Sequence, residues 1–179
     1  MQGLHQEKGS GTKLHGDNMK KEFKSVITIQ GRIRPILRDA KTGKIKWTGE
    51  WNHNLIPTVG LRAVARRFAN VASLSNEGAV TYGAVGSGVT TPLISDVQME
   101  NETERKLTAV SSESGAIAHL EFFYTESEAN GTITKFALFG EDATGAANSG
   151  TMMEYADFAT SFTKTSNETL TVEIEITVS

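Results

Sequence analysis

The stretch TYGAVGSGVTTPLISDVQMENETERK, residues 81–106, gathers the residues whose types and spacing come closest to chemistry. Gly83, Gly86 and Gly88 surround Ser87. A phosphate cradle of the G-x-x-x-x-G-K-[ST] kind needs a lysine and a following helix, whose N-terminus supplies positive field. Gly83 and Gly88 have the outer spacing, but Val89 stands where the lysine must be. A dinucleotide fingerprint also needs a helix directly after the glycines, and the run Val-Thr-Thr-Pro ending at Pro92 opposes one. Ser87 lies directly between two glycines and does not match G-x-S-x-G. His53 and His119 are available as bases, but nothing local orients them. These residues assign no catalytic role and no cofactor. The glycines read as positions of positive φ or close packing where a strand ends, with Pro92 fixing the exit.

The acidic half is more informative. Glu100, Glu102 and Glu104 alternate by two, so a strand would carry all three carboxylates on one face. A hard cation could use such a face. Arg105 and Lys106 neutralise it, which favours a solvated or inter-subunit surface and makes Glu102 and Arg105 candidates for a contact between subunits. The four histidines form no H-x-H or H-x-x-x-H pair, and there is no cysteine for a thiolate nucleophile, a disulfide or a thiolate metal site. No metal site is expected. Two carboxylates for glycoside hydrolysis are set by the fold rather than by spacing, and no acid/base motif announces them. The net charge of −3 suggests no basic surface for nucleic acid. No run of 18 apolar residues suggests a membrane span, and the N-terminus lacks the apolar core of a secretory signal.

The elements that must hold these residues are mostly strands. Residues 1–20 are polar and glycine-bearing and predict a flexible N-terminal arm, ordered at most against a partner. Residues 21–179 predict a single β-sandwich domain. Val26, Thr28 and Gln30 alternate with Ile27 and Ile29, and Pro35 marks an edge or a bulge. The segment RDAKTGK turns the chain into a returning strand, KIKWTGEW. One inserted helix is predicted over about 57–70, with Pro57 in its first turn and Leu61, Val64, Ala65 and Phe68 as its apolar stripe. Arg62 and Arg66 share another face of that helix, solvated or at an interface. RKLTAVSSES and AIAHLEFFYTES predict a hairpin about Gly115, and Asn130-Gly131 predicts another turn of hairpin type. In TITKFALFGE, Phe136 and Leu138 point one way and Ile133, Ala137 and Phe139 the other, as in a strand buried on both faces. Leu170, Val172, Ile174, Ile176 and Val178 alternate with polar residues in the last strand, one face buried and the other wet.

The order of these segments carries a resemblance. DAKTGK is followed by NHNLIPTVGLRAVARRFAN, then by the glycine-rich turn with Thr-Thr-Pro, Asp96, Glu102 and Arg105. GTITKFALFGED and the terminal FTKTSNETLTVEIEIT close the series. Over roughly residues 22–179 this resembles small bacteriophage structural proteins, including tail-collar and tail-fibre attachment domains and capsid-decoration β domains. Phe136-Ala137-Leu138-Phe139 departs from the usual Gly-Leu-Phe, and residues 1–20 have no counterpart. The resemblance implies a non-enzymatic virion protein made in the bacterial cytoplasm, a tail component (fibre, collar or baseplate) partnered by copies of itself and by other virion proteins. A capsid decoration protein is the alternative within that class. A module that binds or cleaves a host-surface glycan is the competing class, with Trp47, Trp51 and Tyr155 as aromatics that could meet sugar, although each fits a core or an interface better. Trp51 joins Glu102, Arg105, Arg62 and Arg66 as an interface candidate.

Overall fold

The structure is a computed structural model and describes residues 26–69 and 79–179. The expected arm at 1–20 lies outside the described residues. The rest is the expected mainly β sandwich, built from two antiparallel sheets with one inserted helix. One sheet orders its strands β2 (Ile45–Thr48), β1 (Ile29–Asp39), β10 (Glu168–Val178), β7 (Ile117–Tyr124) and β6 (Val110–Ser114), with the short β3 (Asn52–His53) also on β1. The other orders β5 (Glu102–Leu107), β4 (Val80–Gly86), β8 (Gly131–Gly140) and β9 (Thr151–Lys164). The helix α1 spans Thr58–Ala69.

The first hairpin forms as its turn chemistry requires. Asp39 Oδ1 accepts hydrogen bonds from the backbone of Thr42 (2.8 Å) and Lys41 (3.2 Å), and Gly43 takes a positive φ of 67°. Pro35 falls where its missing donor costs nothing. Its carbonyl accepts from Gly49 N, so that side of the residue faces the gap between β2 and β3. In β10, Leu170, Val172 and Ile174 are buried between the sheets and Ile176 packs against them.

Strand β8 is apolar on both faces because it is a wall shared by two cores. Phe136 and Leu138 face the inter-sheet core with Phe122, Tyr124, Leu170 and Val172. Ala137 and Phe139 face a second core with Ala84, Met99, Met152 and Tyr155. Ile133 joins Phe136 rather than Ala137, against the simple alternation. The β8–β9 register shifts between Ile133 and Lys135, and that irregularity reverses the parity of everything before it.

Three connections differ from expectation. RKLTAVSSES is two strands in different sheets: Thr108 N still donates to Thr81 O of the β4 sheet, and Ala109 N already donates to Glu121 O of β7. The hairpin about Gly115 therefore joins only β6 to β7. Asn130-Gly131 passes the chain from one sheet to the other instead of forming a hairpin. Ala129 carries the positive φ that a primed hairpin turn would place on Asn130, and Asn130 Nδ2 holds Glu126 O.

The third concerns α1. Pro57 precedes the helix, its carbonyl accepting from Leu61 N. The residues buried are Gly60 and Ala63, not the expected stripe. A Cβ on Gly60 would sit 2.5 Å from the Met153 carbonyl oxygen, so the helix seats its smallest face directly on the β9 backbone. Val64 is half-buried, Ala65 is exposed, and Leu61 and Phe68 are left 46% and 75% exposed.

Three substitutions test the packing. Phe136→Ala should cost about 3–5 kcal/mol in urea unfolding, the usual range for a buried phenylalanine. Gly60→Val should lower the melting temperature, while Ala65→Val on the exposed side should leave it nearly unchanged.

Candidate functional site

The glycine-rich stretch is built around a carboxylate and an ammonium of its own chain. Glu100 Oε2 accepts from Thr90 N (2.9 Å) and Thr90 Oγ1 (2.6 Å). The Thr90 hydroxyl bond leads in lowering the Glu100 pKa. A Cβ at Gly88 would collide with the Glu100 carboxylate, and one at Gly83 would lie 2.5 Å from the Phe122 ring. Lys135, fully buried, donates to Thr90 O and to Asp157 Oδ1, the latter at 2.5 Å, above the Tyr155 ring. Thr134 Oγ1 donates to Gly88 O at 2.6 Å. The loop is thus stapled to β8, and Gly83, Gly86 and Gly88 all serve close approach.

Glu102 and Arg105 lie inside the molecule. Arg105 Nε reaches Glu102 Oε1 at 2.5 Å, and both side chains are almost wholly buried. The same guanidinium donates to Thr144 O (2.9 Å) and Ser149 Oγ (3.0 Å) and covers the Phe139 ring at 4.3 Å. Glu102 Oε2 accepts from Asn148 N. The pair fastens the 141–150 loop to the edge of its sheet, so these two charges are spent within the chain. Arg66 ties α1 to Glu141 at 2.5 Å, and Thr151 Oγ1 donates to the same carboxylate. Arg62 is exposed on the helix. Trp51 is half-buried on the outer face of the β1 sheet, its ring met by the guanidinium carbons of Arg32 (4.5 Å) and Arg34 (4.6 Å). Those arginines pair with Glu175 and Glu173 of β10. The five candidates therefore do not converge on one site.

What the fold assembles instead is apolar. Leu61 and Phe68 stand out from α1. The loop before β5 exposes Val89, Leu93, Ile94 and Val97 at 57–89%. Thr58 N donates to Ile94 O at 2.8 Å, which holds that loop against the start of the helix. The same helix walls an open groove of about 330 Å³, lined by Ile27, Ile29, Val64, Phe68, Ile176 and Val178. Sequence reading missed this surface because it assigned the apolar helix residues to the core. The available signal was Leu93-Ile94 inside a Thr- and Pro-bearing loop, where a core has no use for them.

Two charged residues, Arg67 and Glu154, also line this groove. Glu154 of β9 is buried, and Asn54 Nδ2 donates to its Oε2, while Asn54 Oδ1 is buried without a partner. Burial pushes the Glu154 carboxyl up to about 8, against a smaller lowering by the Asn54 bond. Among the described residues no cluster of three or more His, Asp or Glu is placed to hold a metal ion, and no helix is long and apolar enough to cross a membrane. Comparison with families of known proteins, with curated proteins and with solved structures finds no match to this chain.

Two outcomes follow. The folded Glu154 keeps its proton to about pH 8, while the unfolded residue releases it near 4.5. Below 4.5 its burial carries no ionisation cost. Between 4.5 and 8 this residue removes about 1.4 kcal/mol of stability per pH unit. The stability gain of Glu154→Gln over the parent should therefore grow with pH across that window and level off above it, read from urea midpoints. Arg105→Ala leaves Glu102 buried and unpaired and should cost about 3–5 kcal/mol; the double variant Arg105→Met, Glu102→Leu should recover much of that loss in the same titration.

Proposed function

We propose that this chain is a non-enzymatic structural protein of a bacteriophage particle, a tail component of the fibre, collar or baseplate kind that binds copies of itself and neighbouring virion proteins. The observation that carries this reading is the exposed apolar surface of α1 and the loop before β5. Five large apolar side chains outside the groove, Leu61, Val89, Leu93, Ile94 and Val97, stand in water. Exposed apolar patches of this kind mark association surfaces in folded proteins. A closed oligomer or a symmetric tail ring would bury them through repeated copies of one contact. The ordered set of segments resembling phage tail and decoration domains supplies the virion context.

The aromatics named for the glycan reading each have partners within the chain. Trp47 packs on Phe162 with ring centroids 5.2 Å apart, Tyr155 is buried, and Trp51 is engaged by two arginines.

Sedimentation velocity tests the association. Leu61→Ser combined with Ile94→Ser should shift assembled species to monomer, while the exposed positions keep the stability change within about 1 kcal/mol. Immunogold labelling of particles that carry the chain tests the location. Label on tails supports the proposal, label on the head surface replaces it with capsid decoration, and unlabelled particles refute both.

A further inference from the structure

The groove beside α1 is apolar, open and at the place where the described chain begins. Ile27 and Ile29 form one wall, with Ile176 and Val178 of β10 beside them; Val64 and Phe68 of α1 form the other. Ile27, Phe68 and Val178 are 61%, 75% and 45% exposed, so the rim is wet. Thr28 is held to Ser179 by backbone hydrogen bonds in both directions, which fixes the direction in which the chain arrives at the rim.

We propose that the groove is the docking site for the chain's own segment immediately before it, with Phe23 as the inserted side chain. Twenty-five residues precede the described chain, and they end at this rim. Alternate residues of an extended backbone share a face, so a segment docked in that conformation would bring Phe23 to the side of Ile27 and Ile29 that lines the groove. Lys24, Ser25 and Val26 tether it to the rim, and so short a link holds the local concentration near millimolar or above, ahead of any copy arriving from solution. Insertion of one phenylalanine removes its own ring and the facing walls from water together.

The absence of cysteine makes the test direct. The full-length double variants Phe23→Cys, Phe68→Cys and Phe23→Cys, Val178→Cys are oxidised mildly and resolved on a non-reducing gel. The proposal expects a disulfide within the monomer in at least one pair. A covalent dimer alone would assign the groove to the segment of a second copy and overturn it. No disulfide in either pair, with the thiols reactive to a maleimide, overturns it too. In parallel, Phe23→Ser in the full chain should raise the fluorescence of an apolar-surface dye by at least about twofold. A rise with Leu74→Ser and none with Phe23→Ser would give the groove to the 70–78 connection instead, against the proposal.

Discussion

Strand β8 is the constraint on which the rest depends. Its residues alternate between two cores, Phe136 and Leu138 on one side, Ala137 and Phe139 on the other. A sheet covered on both faces leaves its long polar side chains little access to water, so each must find partners inside. That requirement accounts for Lys135 on Thr90 and for Arg105 on Glu102. The second core in turn needs a cover, which the loop before β5 and the start of α1 supply.

The cover is where packing and association meet. Gly60 and Ala63 let α1 lie close on β9, with Val59 and Val64 packed beside them, and Leu61 and Phe68 are left exposed. Of the charged candidates, Glu102, Arg105 and Arg66 stabilise loops and a helix within the chain, while Arg62 is exposed on the helix.

The sandwich itself was legible in the sequence where one residue pattern had one physical solution. The alternation from Leu170 to Ile176 admits only a half-buried strand, and Asp39 with Gly43 only a turn. Legibility failed where a single irregular residue changed the outcome. The register shift after Ile133 moved that side chain between cores, and the positive φ at Ala129 took a hairpin signal into a crossover. Periodicity found the apolar stripe of α1 but not which face the sheet would choose, because contact distance rather than hydrophobicity made that choice. The Glu102–Arg105 spacing read as a charged contact, yet only the fold could say that the contact is internal.

The central claim is that the α1 and β4–β5 loop surface is buried on assembly. Amide hydrogen exchange, compared between the isolated chain and the assembled particle, tests it most directly. The account expects new protection concentrated in residues 58–69 and 87–98. Protection falling instead on the outer face of the β1–β10–β7 sheet, with those two segments exchanging as they do in the isolated chain, would contradict it.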